Sequence, residues 1–289
     1  MKKLLTGILL AVLVLALAAC GTKEVKDDKT SGSSEDIGED VVVDAEVTTL
    51  KIGASNTPHA IILEKAVPLL KEKGIELEIE PYQDYVLPNQ DLESGDLDAN
   101  YFQHIPYFEG QIADFGYKFA NAGAIHIEPI GLYSKKYKSI DELPDNAVIL
   151  ISNSVADHGR VLAMLEANGL IKLADGVEKV KAEVKDIVEN PKNLQFDANY
   201  EAALMPQLYA NDEGDALLIN SNYAIDAGLN PLEDSIAIES SDSPYVNIIA
   251  VKEGDEEELA IKTLIEVLKS QEIQDFILEE WGGSIVPVK

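Results

Sequence analysis

From residue 48 onward, apolar side chains recur with two spacings that alternate along the chain. Residues 75–79 alternate apolar and acidic side chains, which predicts a half-buried strand, whereas residues 61–70 repeat their apolar side chains at helical spacing. Further strands are predicted at residues 50–54, 99–102, 125–133, 148–151, 186–188, 216–220 and 245–251. Further helices are predicted at residues 106–115, 157–168, 199–210, 256–268 and 273–280. Strands separated by crossover helices predict an α/β fold with mostly parallel sheets.

Two segments have the composition of connections between lobes. Residues 128–134 end the first block of strands and helices, and the serine-rich residues 240–245 begin the last block. If the chain crosses at both places, one lobe consists of residues 48–133 and 244–289 and the other of residues 134–243. A cleft between two lobes commonly binds a small ligand and closes by hinge motion.

The N-terminus is an apolar leader that ends in the only cysteine of the chain. Lys2 and Lys3 precede a leucine- and valine-rich run, and small residues lead directly into Cys20. This is the architecture of a secretory signal, and the run is shorter than the ~20 apolar residues of a spanning helix. Because Leu-Ala-Ala-Cys resembles a bacterial lipobox, we predict cleavage after residue 19 and lipidation of Cys20 outside the cell membrane. An ordinary secretory signal and a signal anchor are the alternatives.

Residues 20–47 differ in composition from the rest of the chain. After the cysteine they mix Lys, Asp, Glu, Ser and Gly with almost no large apolar side chain, so they cannot bury enough surface to fold alone. We predict a flexible tether that keeps the folded body near the membrane surface. The predicted order is therefore a signal peptide at residues 1–19, a lipidated tether at residues 20–47 and two lobes.

Composition and charge exclude several classes of function. The 289 residues carry a formal net charge of −29, which argues against nucleic-acid binding. A single cysteine excludes disulfides and cysteine-based zinc sites within the chain. Motifs for a serine nucleophile, a zinc protease and a phosphate-binding loop are missing. The four histidines are dispersed along the sequence, so we predict no enzymatic activity, cofactor or metal. We also predict that the protein is a monomer. A metal-binding lipoprotein is the competing interpretation.

Arg160 is the only arginine among 23 basic residues. A guanidinium binds a carboxylate or phosphate through two parallel N–H donors, which lysine cannot do. Its position near the start of a predicted helix adds the positive end of the helix dipole. The residues alone leave two interpretations, an anion-binding group and an ion pair with one of 52 acidic residues. For an anion-binding group, exchange for lysine is expected to weaken ligand binding and to leave the fold nearly unchanged.

Aromatic and amide side chains cluster at residues 84–89 and 98–107. The two segments bring tyrosine and phenylalanine together with asparagine, glutamine and histidine at a strand-to-helix junction. Aromatic rings with polar tips suit a pocket that is apolar in its body and forms hydrogen bonds at its rim. Core packing beneath a loop is the alternative, and composition alone favours it.

Four runs of the sequence resemble one known family in their order and spacing. The runs are DYVLPNQDLESGDLDANYFQHIPYF, HIEPIGLYSKKYKSIDELPDNA, ALLINSNYAIDAGLNP and SPYVNIIAVK. The family is that of the methionine-binding lipoproteins of ABC importers, the NlpA-type family, and the resemblance extends from about Lys51 to the C-terminus. It implies a two-lobed periplasmic-binding-protein fold, type II-like, with two hinge crossovers and a ligand cleft between the lobes.

The resemblance also implies a function and a set of site residues. Members of the family bind methionine between the lobes and deliver it to a membrane permease driven by a cytoplasmic ATPase, so the same partners are implied here. By motif, Arg160 would bind the α-carboxylate of the ligand. Asn220, with Asn222 as the alternative, would bind the amino-acid head group. The ligand's side chain would lie among the clustered residues Tyr85, Tyr101, Phe102, His104 and Tyr107.

One stretch departs from the family's pattern. Residues 151–162 keep Gly159 and Arg160 but lack the proline and the Thr-Asn pair that the family usually carries before the arginine. The altered loop would meet the head group of the ligand. The resemblance therefore implies the importer role with L-methionine as the expected ligand, and D-methionine, a methionine derivative or a methionine-containing dipeptide as alternatives.

Overall fold

The computed structural model describes residues 47–288. The predicted signal peptide, Cys20 and the tether up to residue 46 lie outside the described residues. The strands are β1 (Thr48–Ser55), β2 (Ile75–Tyr82), β3 (Ala99–His104), β4 (Phe119–Ile127), β5 (Gly131–Tyr133), β6 (Val148–Ser152), β7 (Lys172–Leu173), β8 (Ile187–Glu189), β9 (Gln195–Tyr200), β10 (Ala216–Ile219), β11 (Ser235–Ile238), β12 (Val246–Lys252) and β13 (Val286–Pro287). The helices are α1 (Ile61–Glu72), α2 (Leu87–Ser94), α3 (Ile105–Phe115), α4 (Val155–Ala167), α5 (Met205–Ala210), α6 (Ser221–Asp226), α7 (Leu259–Leu268) and α8 (Gln271–Trp281).

Within these residues the strands form two mixed sheets and one two-stranded ribbon. The first sheet has the order β13-β4-β12-β3-β1-β2, the second has the order β11-β5-β10-β6-β9, and β7 pairs with β8. In the first sheet β1 pairs parallel with β2 and β3, but β12 and β13 pair antiparallel with their neighbours. In the second sheet β5 is antiparallel to β10 and β11. The prediction of mostly parallel sheets is therefore wrong, because β12 returns from late in the chain and inserts between β3 and β4.

The first lobe is built on the six-stranded sheet, whose apolar face is covered by α1, α7 and α8. The core joins residues of both layers: Ile52, Ile62, Ile125, Leu264 and Ile277. On β2, the half-buried apolar side chains of Leu77 and Ile79 pack against this core, while the alternating glutamates are exposed. The period-two pattern that predicts this strand is thus confirmed, since successive side chains of a strand point to opposite faces.

The second lobe is built on the five-stranded sheet, and α4 supplies much of its core. Val161, Leu162 and Leu165 of α4 are buried at the spacing of one helix face. Just before them, Gly159 lets the helix approach the turn at Lys179–Lys181. A Cβ atom at position 159 would lie 2.4 Å from the carbonyl oxygen of Lys179. This close approach fixes the N-terminal half of α4, which carries Arg160 in its second turn.

The chain passes between the two sheets twice, from β4 to β5 and from β11 to β12. The two crossing segments lie side by side, because the Glu239 N–H donates to the Ile130 carbonyl oxygen over 2.9 Å and the Ile130 N–H donates to the Glu239 carboxylate over 3.2 Å. The predicted lobe boundaries at residues 133 and 244 stay predictions. The strand pairing assigns β5, which the sequence places at the end of the first lobe, to the second sheet.

One predicted helix is partly a strand. Residues 199–210 were expected to be helical, but β9 runs through Tyr200 and α5 begins only at Met205. Phe196 and Ala198 of β9 pack against the second core, and the polar residues between them do not. The alternation at residues 196–198 lies just before the predicted helix at residues 199–210, so the prediction began the helix inside the end of β9. Among residues 47–288, no helix combines the length and the apolar character needed to cross a membrane.

Candidate ligand-binding site between the lobes

A buried cavity lies where the two lobes meet. Its walls come from the end of β3 and the start of α3 in the first lobe, the first two turns of α4 and the start of α6 in the second, and a crossing segment. The lining residues are Tyr85, Phe102, Gln103, His104, Tyr107, Glu128, Asp157, Arg160, Asn220, Ser221, Asn222 and Asn247. The folding of the chain thus brings together side chains that are as much as 162 positions apart, from 85 to 247.

Arg160 is buried in this cavity and already has protein partners. Its Nε and Nη2 donate to the Glu239 carboxylate over 3.0 and 2.6 Å, Nη1 donates to Asp157 over 3.3 Å, and Nη2 donates to the Glu128 carbonyl oxygen over 2.6 Å. The guanidinium also lies 4.8 Å from the ring centre of Tyr245. Burial alone would lower its pKa, but Glu239 and Asp157 outweigh that effect and raise the pKa. The four bonds use four of its five N–H donors.

Asp157 links the lobes at the floor of the cavity. Its Oδ1 accepts a hydrogen bond from Nε2 of His104 over 3.0 Å, and its Oδ2 accepts one from Nδ2 of Asn220 over 3.3 Å. Burial alone would raise the pKa of Asp157, but these bonds and the nearby Arg160 hold the pKa well below its usual value. Asp157 is therefore an ionised carboxylate whose charge is balanced by protein groups on both sides.

Aromatic rings form the opposite wall. The ring centre of Tyr85 lies 6.1 Å from that of Phe102, 6.0 Å from that of Tyr107 and 5.0 Å from that of Tyr223. The Tyr85 hydroxyl donates to Oδ1 of Asn222 over 2.7 Å, which is a second contact between the lobes. The Tyr107 hydroxyl in turn donates to the Tyr85 carbonyl oxygen over 2.8 Å. These rings are held in place by their own polar tips and present apolar surface to the cavity.

Asn220 offers the cavity a free acceptor. Its Nδ2 is bonded to Asp157, but its Oδ1 is buried and has no hydrogen-bond partner within residues 47–288. A buried amide oxygen without a partner costs free energy, so a ligand that brings an N–H donor to this point would be stabilised. Asn220 stands at the end of β10, where the chain turns into α6.

The lining includes most of the residues expected from the sequence. They are Arg160, Asn220, Tyr85, Phe102, His104, Tyr107 and Asn222. Tyr101 is different, because its side chain is fully buried in the core of the first lobe and its hydroxyl is bonded to Nδ1 of His126. A strand side chain alternates with its neighbours, so Tyr101 faces away from the cavity that Phe102 lines. The binding roles assigned to these residues stay predictions.

Sequence reasoning missed Glu128, a carboxylate that lines the cavity from the first crossing segment. Its Oε1 lies 2.7 Å from Nε2 of His126 and 3.1 Å from Nε2 of His59. Burial raises the pKa of Glu128, although His59 and Arg160 oppose that shift. One signal was available in the sequence, since Glu128 stands beside Pro129 at a predicted crossing between lobes. Glu239 gave no such signal, because its partner Arg160 is 79 positions away, and Asp157 was also missed although it stands three positions before Arg160.

Glu128 also belongs to a compact cluster with His59 and His126. One ligating atom from each lies within 4.8 Å of the others, a separation that a divalent cation could bridge. The sequence did not reveal this cluster, because the two histidines are 67 positions apart. Burial lowers the pKa of His126 to about 3 and that of His59 to about 4, so both imidazoles are neutral near pH 7. Neutral imidazoles can donate N–H bonds to the carboxylate as well as bind a metal.

A wider groove continues outward from the cavity. It has a volume of about 1060 Å³ and shares Tyr85 and Tyr107 with the inner site. Its sides are formed by α3 and by the first turn of α4 with the loop around Lys181.

The inner cavity presents a buried cationic group, a buried anionic group and an aromatic wall. This combination suits a small zwitterion with an apolar side chain.

Comparisons with known proteins agree with this description. The model of the NlpA lipoprotein family matches residues 50–289. The methionine-binding lipoprotein MetQ of Bacillus subtilis is 47% identical over 290 residues, which cover 100% of this chain and 99% of that protein.

Two solved structures are also similar. The crystal structure of a pheromone cOB1 precursor/lipoprotein of the YaeC family from Enterococcus faecalis has a TM-score of 0.82 and 54% identity, and the match covers 83% of this chain and 100% of that chain. The structure of a nutrient binding protein from Burkholderia cenocepacia bound to methionine has a TM-score of 0.78 and 40% identity. This match covers 83% of this chain and 100% of that chain. These similarities confirm the two-lobed fold that the sequence predicts.

Proposed function

The chain belongs to the NlpA lipoprotein family, and we propose that it is the substrate-binding protein of an ABC importer for methionine. It captures the amino acid between its lobes and delivers it to a membrane permease driven by a cytoplasmic ATPase. A lipid on Cys20 holds it on the extracytoplasmic face of the cell membrane. The protein binds its ligand without converting it.

The observation that carries this proposal is the composition of the buried cavity. Glu128 and Arg160 place opposite charges on its walls, and Tyr85 and Phe102 supply apolar surface between the lobes. A free amino acid carries the complementary charges, and a thioether side chain is soft and apolar. Contacts between sulfur and aromatic rings contribute about 0.3–1.5 kcal/mol each. The similarity to a structure bound to methionine supports the same assignment.

The geometry suggests a position for each part of the ligand. The α-carboxylate would accept a hydrogen bond from the one N–H of Arg160 Nη1 that has no protein partner. The bonds to Glu239 keep the guanidinium in place. The ammonium group would donate to Glu128 and to the free Oδ1 of Asn220. Of the two lining carboxylates, Asp157 is already paired with Arg160 and hydrogen-bonded to His104. Glu128 has only neutral imidazoles beside its Oε1, so it is the better partner for an ammonium group.

Closure of the lobes would complete the site. The His104–Asp157 and Tyr85–Asn222 contacts both cross between the lobes, so opening would separate both pairs. Two adjacent crossing segments provide a hinge for such a motion. A ligand that contacts both walls would favour the closed form, which a permease could recognise.

The outer groove favours one second candidate, a methionine-containing dipeptide. The groove opens beside Tyr85 and Tyr107, and its volume would accept an additional residue. The extra residue would, however, remove the free ammonium or the free carboxylate of methionine from the inner site. The charged groups of the cavity therefore favour the free amino acid.

Calorimetric titration of the unfolded, dialysed and refolded protein would test this assignment. L-Methionine should bind most tightly, norleucine about two- to tenfold more weakly because it lacks the sulfur contacts. Glutamate should bind more than about a hundredfold more weakly, because its side-chain charge would be desolvated. Mass spectrometry should recover methionine unchanged after incubation. If D-methionine or glycyl-methionine binds more tightly than L-methionine, that compound replaces L-methionine as the assigned ligand. If glutamate binds as tightly as L-methionine, the proposal is overturned.

A further inference from the structure

We propose that His126, through its Nε2–H, and His59, whose ring lies beside the same carboxylate oxygen, are positioning residues that hold Glu128 in the orientation that receives the ligand's ammonium group. This inference rests on the proposed function, because it assumes that Glu128 contacts the ligand. Neither histidine lines the cavity. Their effect on the ligand would pass entirely through Glu128.

The two histidines hold the carboxylate from two separate elements. His126 lies on β4 and its Nε2 is 2.7 Å from Oε1 of Glu128, while His59 lies in the turn before α1 and its Nε2 is 3.1 Å from the same oxygen. Both histidines are buried, with exposed fractions of 0% and 1%, and Glu128 is 6% exposed. A carboxylate on a crossing segment is thus fixed against the rigid sheet of the first lobe.

The hydrogen bonds around His126 have one consistent direction. An ionised Glu128 can only accept, so the proton of the neutral His126 ring lies on Nε2, and Nδ1 accepts from the Tyr101 hydroxyl. A neutral imidazole that accepts at Nδ1 carries its proton on Nε2, which faces Glu128. The order is therefore Tyr101 to His126 to Glu128. This order gives Tyr101, which the sequence placed in the ligand pocket, a role behind it.

His59 fits the same arrangement. Its Nε2 donates to Oδ1 of Asn247 over 3.2 Å and also lies 3.1 Å from Oε1 of Glu128. Two acceptors around one nitrogen place the proton there. The other nitrogen, Nδ1, is buried without a partner in residues 47–288, so it offers no acceptor for a proton there.

Neutral donors suit this task better than cations would. A charged histidine or lysine beside Glu128 would neutralise the carboxylate and weaken its attraction for an ammonium group. A neutral N–H orients the oxygen and leaves the negative charge for the ligand. The same three side chains could instead bind a divalent cation, but a metal would need the Nε2 lone pair of His126. The hydroxyl of Tyr101 directs that nitrogen's proton toward Glu128.

A double-mutant cycle on methionine affinity would test the inference. His126→Leu should weaken binding about tenfold in the wild-type background and by less than about twofold in a Glu128→Gln background, because the histidine acts through that carboxylate. His126→Gln should restore most of the affinity, since its amide can donate from a similar position. A merely structural histidine would cost the same affinity in both backgrounds.

A second pair of variants keeps the test valid if His126→Leu fails to fold. Tyr101→Phe should weaken methionine binding by about threefold, because His126 loses the bond that fixes its tautomer. Tyr133→Phe is the matched control, since its hydroxyl is equally buried but has no partner among the described residues. It should leave affinity unchanged.

The outcomes separate this inference from the proposed function. If the wild-type protein binds methionine but the cycle shows no coupling, or if both tyrosine variants behave alike, the positioning role is overturned and the function stands. If metal analysis of the purified protein finds one tightly held divalent ion per chain that His126→Leu releases, the cluster is a metal site instead. If the wild-type protein does not bind methionine, both the function and this inference are overturned.

Discussion

Replacing Arg160 with lysine should lower the thermal stability of the ligand-free protein. From the sequence alone, this exchange was expected to leave the fold nearly unchanged. The structure changes that expectation, because the guanidinium joins α4 to both crossing segments. It bonds the carbonyl oxygen of Glu128 in one segment and the carboxylate of Glu239 in the other, and it also bonds Asp157.

The size of the effect follows from these bonds. A lysine ammonium could keep the contact with Glu239, but it lacks the planar fork that reaches Asp157 and Glu128 at the same time. Hydrogen bonds to charged groups contribute about 1.5–3 kcal/mol each, so the loss of the bonds to Asp157 and to the Glu128 carbonyl oxygen should cost about 3 kcal/mol after partial compensation. For a folded body of this size, that corresponds to a fall in Tm of about 6–12 °C.

Thermal unfolding at pH 7, after bound ligand has been removed, would measure this change. The matched control is Lys65→Met, which removes an ion pair of 2.9 Å between Lys65 and Glu272 whose side chains are 37% and 54% exposed. Exposed pairs contribute at most about 1 kcal/mol, so the control should melt close to the wild type. If Arg160→Lys melts within about 2 °C of the wild type, the argument that Arg160 secures the crossing segments is wrong.

Two further substitutions test the same region. Asp157→Asn should be less stable than the wild type at pH 7, and the difference should shrink below about pH 4. The pKa of the folded-state Asp157 carboxyl is held below its usual value, so the carboxylate stabilises the fold fully above the usual pKa of Asp and loses this effect as the pH falls below it. A difference in Tm between wild type and variant that stays constant from pH 7 to pH 3 would contradict this argument. Gly159→Ala should lower Tm, because its Cβ would meet the Lys179 carbonyl, whereas Gly110→Ala, with nothing within 4 Å, should not.

Much of the fold could be predicted because burial leaves a periodic record in the sequence. The alternation of β2 and the helical spacing of α1 reflect one buried face each, and both elements lie where the pattern predicts them. The pairing of strands leaves no such record. Nothing in the apolar pattern of β12 shows that it lies between β3 and β4, so the mixed sheets could not be predicted from periodicity.

The site divides in the same way. Residues within one motif, such as Phe102 and His104, could be assigned together because the resemblance covers them as a block. The partners of Arg160 could not, because Glu239 is 79 positions away and is one acidic residue among 52. The His59–Glu128–His126 cluster is a clearer case. Each residue has an ordinary sequence environment, and only the packing of β4 against the turn before α1 brings them together.

The balance of buried charge explains why the cavity should prefer a zwitterion over an acidic ligand. Arg160 is already opposed by Glu239 and Asp157, and Glu128 adds a further carboxylate beside neutral imidazoles. A zwitterion brings no net charge, and it places its ammonium group where the protein has excess negative charge. Glutamate would bring one more negative charge into a site that already has more carboxylates than cations. At low dielectric this repulsion is large, so the ion pairs that hold the lobes together also determine which ligands the cleft accepts.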